Sequence, residues 1–178
     1  PSRSLILDPR MPPDIVNRPV TPTDLPLVSQ LHANVFGPGR FSRAAYRVRE
    51  GTAPVSRFCR AAYLNERMVA SVRFTHVTIG GAEGPLLLGP LAVDPEFAGK
   101  GYAQQLVREA LEDLKVARAP LVVLVGDEGY YGRFGFAPVA PGQITLPGPV
   151  APARILAAEL IPGALATFSG LVIWLRVL

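Results

Sequence analysis

The sequence predicts a single α/β domain, of the α+β kind, built on a mixed and mostly antiparallel sheet flanked by helices. Three observations predict it. Runs rich in apolar, aromatic and β-branched residues recur across residues 58–93 with only short, turn-like connections between them. A long amphipathic helix pattern is followed by the continuous apolar run 121–125, which reads as a strand covered on both faces. The length of 178 residues suits one domain with a substantial core.

Residues 1–13 read as an irregular lead-in and residues 14–178 as the domain, with a first strand over 14–20. Thr21-Pro-Thr-Asp24 carries a hydroxyl, an early proline and an acid, the signature of a helix start. Leu25, Val28, Leu31 and Val35 then fall at helical spacing, until Gly37-Pro-Gly39 ends the pattern. A second short helix is expected over 42–49. Residues 58–64 and 68–79 form a hairpin around Asn65 and Glu66, and Gly80, Gly81 and Gly84 lead into a third strand over 86–93. Ala103, Leu106, Val107, Ala110, Leu111 and Leu114 mark one face of the long helix, with polar residues opposite. Pro120 marks its exit, and a strand, helix, buried strand order makes a parallel crossover. A short aromatic helix near 130–134, a strand from Phe136, a proline-rich loop and a last strand over 171–178 complete the chain.

Composition narrows the function. Apolar residues make up 49% and charged residues 18%, a globular balance, and the 19 prolines and 17 glycines show no period that would suggest a fibre or low-complexity chain. Cys59 is the single cysteine, so the fold does not rest on a disulfide, which fits a cytoplasmic protein. No signal-peptide pattern opens the sequence. The most apolar stretch, 155–175, is broken by Glu159, Pro162, Gly163 and Gly170 and reads as core rather than a membrane span. A net charge of +4 and a pI near 9.6 favour anionic partners such as a nucleotide cofactor. Arg40, Arg43, Arg47, Arg49, Arg57 and Arg60 cluster, but without interleaved aromatics or a nucleic-acid motif they read as a solvated basic face. Two histidines and one cysteine, widely spaced, give no metal-ligand pattern.

Residues 91–103 read Leu-Ala-Val-Asp-Pro-Glu-Phe-Ala-Gly-Lys-Gly-Tyr-Ala: a strand, a glycine-rich turn and a helix N-terminus. Unpaired N–H groups and the helix dipole make such a terminus an anion site, and glycines let the main chain approach a phosphate. Two phosphate motifs fail. A P-loop needs Ser or Thr after Gly-Lys, where Gly101 stands, and the dinucleotide fingerprint needs a small residue where Gln104 stands. Val93-x-Pro95 followed by Ala98-Gly-Lys-Gly-Tyr-Ala103 instead resembles the acetyl-CoA motif of the GNAT superfamily, Gln/Arg-x-x-Gly-x-Gly/Ala. Gly101 and Ala103 match its last two fixed positions, while Ala98 departs from the usual Gln or Arg. Residues 123–136 resemble the family's later motif, in which a tyrosine, here Tyr131, precedes a Gly-Phe pair, Gly135-Phe136. Residues 87–93 and 158–166 are similar to a branch of small bacterial predicted N-acetyltransferases.

The resemblance implies a sheet whose central parallel strands splay, with the pantetheine arm of acetyl-CoA in the gap. It implies a cofactor site of Leu91, Ala92, Val93, Ala98, Gly99, Lys100, Gly101, Tyr102 and Ala103, with acetyl-CoA as acyl donor and no metal. Val93 N–H would stabilise the oxyanion, and Tyr131 would be the general acid that protonates the leaving thiolate. Beside Phe134 and Phe136, Tyr131 also reads as a packing aromatic, and Tyr130 as structural. His76 is the candidate base; Glu83, Asp94, Asp127 and a water chain stand beside it. The expected activity is acetyl transfer to a primary amine of an unidentified small molecule or peptide. A catalytically inactive CoA-binding sensor and a transferase for longer acyl groups are the alternatives. Dimers are common in the family, so a homodimer is one possible assembly, and the sequence leaves the oligomeric state open.

Overall fold

Residue 15 opens β1 (Ile15–Pro19), which lies antiparallel to β2 (Arg60–Leu64), and the hairpin continues into β3 (Arg67–Ile79) and β4 (Leu86–Val93). The computed structural model describes residues 15–37 and 55–175. The lead-in, the expected helix over 42–49 and four of the clustered arginines lie outside the described residues. Asn65 turns the β2–β3 hairpin with a φ of 54°, a left-handed conformation that asparagine adopts more readily than most residues.

Helix α1 (Leu25–Phe36) follows a single turn of 3-10 helix at Pro22–Asp24. The expected helix start is built around Asp24. Its carboxylate accepts both Arg18 guanidinium nitrogens at 2.8 Å, the Tyr63 hydroxyl at 2.7 Å and the Thr21 N–H at 2.8 Å. Asp24 is buried, and the Arg18 fork is the largest influence holding its pKa well below the usual carboxylate range. Burial and the same carboxylate push the Tyr63 hydroxyl up to about 12. Asp24→Ala strands these donors and should destabilise the fold by about 2–3 kcal/mol in denaturant titration. Because the folded-state pKa is depressed, this stabilisation is complete above about pH 4, the carboxyl's unfolded value, and fades as pH falls below it. The wild type should therefore lose more stability than Asp24→Ala on acidification.

Helix α2 (Tyr102–Val116) crosses from β4 to β5 (Leu121–Val125), which runs parallel to β4. The expected apolar face is the buried one: Leu106, Val107, Ala110 and Leu114 pack on Val72, Phe74, Val122 and Leu124. Helix α1 covers the opposite face, with Val28 and Leu31 against Cys59, Met68 and Ala92. The short helix α3 (Glu128–Tyr131) runs into a 3-10 turn, Gly132–Phe134, then β6 (Ala137–Pro138) and β7 (Ile144–Thr145). β8 (Ile155–Glu159) inserts antiparallel between β5 and β6, giving the order β1-β2-β3-β4-β5-β8-β6. β9 (Gly170–Trp174) pairs with the far end of β3 and with β7. The apolar stretch read from sequence simply as core is thus two strands. β8 is buried on both faces and shows no alternation. No helix among the described residues is long and apolar enough to cross a membrane. Nor is there, among them, a cluster of three His, Cys, Asp or Glu able to hold a metal ion.

Candidate active site

The parallel pair is joined only at its start. Leu86 faces Val122 and Leu87 faces Val123; beyond them β4 runs on to Val93 without a partner on that side. Part of the cause lies on the other edge. Between the pairs Val72–Leu91 and Phe74–Leu88, the single residue Arg73 opposes both Gly89 and Pro90, a bulge that puts an extra residue into β4. A bulge bends its strand and increases the local twist. The result is a wedge-shaped gap, closed at Leu87 and open towards the C-terminal ends of both strands.

Strand alternation decides which groups face the gap. Asp94 N–H donates to the Val69 carbonyl on β3 at 2.8 Å, so Asp94 and Ala92 spend their main-chain groups on β3. Leu91 and Val93 therefore turn theirs away from β3, to the open side. Their half-buried side chains pack towards α2, while Ala92 packs under α1.

Beyond Val93 the chain bends. The Asp94 carboxylate accepts the Glu96 N–H at 3.0 Å and the Arg67 guanidinium at 2.7 Å, which pins a 3-10 turn at Pro95–Phe97. Ala98 donates its N–H to the Pro95 carbonyl, so this amide is already engaged. From Gly99 to Gln104 no acceptor among the described residues takes a main-chain N–H. Gly99 has φ 76° and Gly101, the residue that starts α2, has φ 84°. A Cβ at either position would meet nothing within 4 Å, so glycine serves conformation there and the space above stays open. The dipole of α2 adds partial positive charge to the same place. Lys100 is exposed, its ammonium 5.4 Å from the Phe97 ring centroid, and Tyr102 is buried beneath.

The other lip of the gap is the end of β5. Tyr131 and Tyr130 donate their N–H groups to the Asp127 carbonyl at 3.0 and 3.1 Å, which folds α3 back over Gly126. The Tyr131 ring lies close against Gly126: a Cβ there would stand 2.6 Å from Cε2 and 2.9 Å from Cδ2. Phe134, Phe136 and Tyr130 close round the ring at 5.0–6.3 Å between centroids. Gly126 leaves the space that the ring occupies, a contact that sequence reasoning missed. Its requirement comes from a ring five residues later, with no local signature.

Of the candidate bases, His76 and Glu83 lie at the closed end of the gap and Asp94 and Asp127 follow the strand ends at its open end. His76 faces Leu86, at the closed end, roughly 20 Å along β4 from Val93. Its ring rests 5.8 Å from that of Phe58, and partial burial together with the Arg57 charge lowers its pKa. Glu83 sits in the β3–β4 turn, also before the start of β4. Asp94 is held ionised by Arg67, facing a 270 Å³ cleft between α1 and β3 lined by Leu27, Gln30 and Asn34. Asp127 lies 3.6 Å from Arg154, at the exposed start of α3.

The sequence of an acetyltransferase (GNAT) domain matches residues 17–139, a span that contains the glycine turn, the gap and Tyr131. The chain belongs to the GNAT acetyltransferase family. The mixed sheet with its splayed parallel pair is the GNAT fold expected from the two motifs. Among relatives of this GNAT chain is the uncharacterised N-acetyltransferase YjhQ of Escherichia coli K12, 37% identical over 86 residues, or 47% of each chain. Another is the uncharacterised N-acetyltransferase YhbS of the same strain, 33% identical over 60% of this chain and 64% of that one. The matched segment thus spans less than two thirds of either relative. Crystal structures extend the likeness. That of E. coli YhbS in complex with CoA has a TM-score of 0.77 at 28% identity, covering 92% of this chain and 91% of the other. That of a Brucella melitensis GNAT acetyltransferase in complex with acetyl-CoA has a TM-score of 0.58 at 32% identity, covering 84% and 97%.

Proposed function

We propose that this GNAT chain is an acetyl-CoA-dependent N-acetyltransferase that moves an acetyl group directly to a primary amine within a ternary complex. One observation carries the reading: the unpaired amides from Gly99 to Gln104 run straight into the unpaired edge of β4. The turn suits the pyrophosphate of acetyl-CoA, with Gly99, Lys100, Gly101, Tyr102 and Ala103 around it. The edge of Leu91 and Val93 suits the amide-rich pantetheine arm, which adds to β4 as a strand would. The CoA and acetyl-CoA complexes of the two crystallised relatives support a CoA thioester as the ligand. Ala98 contributes shape to the turn rather than an amide donor, and Ala92 contributes packing beneath it.

With the pyrophosphate at the turn, the arm reaches Val93 first and Leu91 next, and its thioester lies deepest, towards the closed end. Order along the strand therefore favours Leu91 N–H over Val93 N–H as the donor to the thioester oxygen, with Val93 holding the arm. The neutral amine attacks the carbonyl carbon, and a C–N bond forms as the oxygen gathers negative charge on the main-chain donor. The C–S bond then breaks, and the Tyr131 hydroxyl gives its proton to the departing sulfur. The proton shed by the amine passes to water, because His76 faces Leu86 and Glu83 precedes β4, both about 15 Å or more along the strand from Leu91, while Asp94 is tied to Arg67 and Asp127 lies beside Arg154.

Thermal stabilisation by acetyl-CoA, followed by thiol release across a panel of amines and peptides, tests the reading. Stabilisation with release for at least one amine supports it. Stabilisation without release for any acceptor supports a CoA-binding module instead, and no stabilisation overturns the cofactor site.

The Gly126 contact makes a separate prediction. Gly126→Ala should push the Tyr131 ring from its seat and lower kcat about tenfold, with the KM for acetyl-CoA little changed. On a Tyr131→Ala background, where no ring remains to clash, the same substitution should have no further effect on kcat.

A further inference from the structure

Arg108 and Arg133 are exposed arginines that no carboxylate among the described residues neutralises. They meet on one aromatic pair. The Arg108 guanidinium carbon lies 5.4 Å from the centroid of Phe134, and that of Arg133 lies 4.7 Å from the centroid of Tyr130. Those two rings pack edge to face at 5.8 Å. Arg133 Nε also donates to the Tyr130 carbonyl at 2.8 Å, which fixes its stem and leaves its terminal nitrogens outward. By contrast, Arg18, Arg60, Arg67 and Arg154 all meet acids. Arg57 and Arg118 do not, but the first stacks on Phe58 near His76 and the second follows the end of α2.

Resting on the cofactor reading above, we propose that Arg108 and Arg133 bind the 3′-phosphate of CoA, so that the site discriminates CoA from its 3′-dephospho form. Position and chemistry both point there. Arg108 lies about 9 Å along the axis from the first residue of α2. Helical side chains lean towards the N-terminus, so its guanidinium tips back towards the glycine turn. It occupies the flank of α2 that faces α3, away from the flank on which Glu109 meets Arg60 and Asn17. In CoA a single ribose separates the pyrophosphate from the 3′-phosphate. A cofactor seated at Gly99–Gln104 with its arm in the gap therefore brings its second phosphate group to one side of the turn. The side of the turn where α2 meets the Tyr130–Phe134 segment carries the uncompensated positive charge of Arg108 and Arg133. Guanidinium groups held on aromatic faces lose little freedom on binding a phosphate, and their fork geometry suits its oxygens.

Calorimetric titration with CoA and with 3′-dephospho-CoA tests this in the wild type and in Arg108→Gln, Arg133→Gln and the double variant. The wild type should bind CoA on the order of tenfold more tightly, and the preference should shrink as salt is raised. The double variant should lose that preference while its affinity for 3′-dephospho-CoA stays at the wild-type value. Equal wild-type affinities for the two ligands, or variants that weaken both ligands alike, overturn the assignment of the arginines and leave the cofactor site standing. Failure of the wild type to bind either ligand overturns the cofactor reading itself and this proposal with it. Both side chains are exposed, so the melting temperatures of the variants should match the wild type and exclude loss of fold as the cause.

Discussion

Tyr131→Phe will lower kcat by about 10²–10⁴-fold, the usual contribution of a positioned general acid, while the affinity for acetyl-CoA stays within about twofold of the wild type. The substitution removes one oxygen and keeps the ring that packs on Gly126 and between Phe134 and Phe136, so the seat of the side chain is preserved. Steady-state kinetics with an active amine, paired with calorimetry for acetyl-CoA, separates the two effects. The loss should also depend on the leaving group: a thioester of a more acidic thiol needs less help from a proton and should show a smaller penalty. Full activity of Tyr131→Phe would assign the thiolate's proton to another donor. A parallel loss of binding would mean that the hydroxyl holds the bound cofactor in the ground state rather than donating its proton to the departing sulfur.

The second large effect is expected at the turn. Gly101→Val should weaken CoA binding by roughly 100-fold or more, because a β-branched residue does not hold φ 84° and the amides that follow must turn away from the anion. The protein itself leaves room for the side chain, with nothing within 4 Å of the added Cβ, so the loss is one of main-chain conformation rather than internal packing. Gly101→Asn separates these causes. Asparagine tolerates the left-handed region, so it should retain much of the affinity that valine loses. Equal losses in both variants would point to a steric clash with the ligand. Unchanged affinity in Gly101→Val would remove the turn from the cofactor site.

These two residues differ in how they could be found. Gly101 has a local reason: it is the left-handed residue between a bend and a helix, and the pattern of strand, Gly-Lys-Gly and amphipathic helix announces it. Tyr131 has no local reason that separates a proton donor from a packing aromatic. Only its place in a family motif singled it out, and the structure adds the seat that holds its ring. Gly126 was invisible. The same residue type with an ordinary φ gives no signal when its purpose is to leave space for a ring brought over it by α3. His76 shows the converse. Its chemistry suits a general base, yet the register that pairs it with Leu86 sets it at the closed end of the gap.

The sequence by itself determined the strands of the β2–β4 meander, the long helix and the buried strand after it. Each of these carries its own periodicity, and the α2 face predicted from spacing is the face that is buried. It also determined the phosphate-friendly turn, since positive φ and open helix amides are properties of a short stretch of chain. The tertiary structure alone decided the rest. The gap depends on where β4 stops pairing with β5, and the bulge between β3 and β4 contributes to it; both are properties of strands in register rather than of any one strand. β8 was not legible as a strand because burial on both faces erases the alternation that would have marked it, and only its pairing with β5 and β6 places it between them. That Leu91 and Val93, and not Ala92 and Asp94, turn their main-chain groups to the gap rests on the same register, fixed by which amides β3 had already claimed.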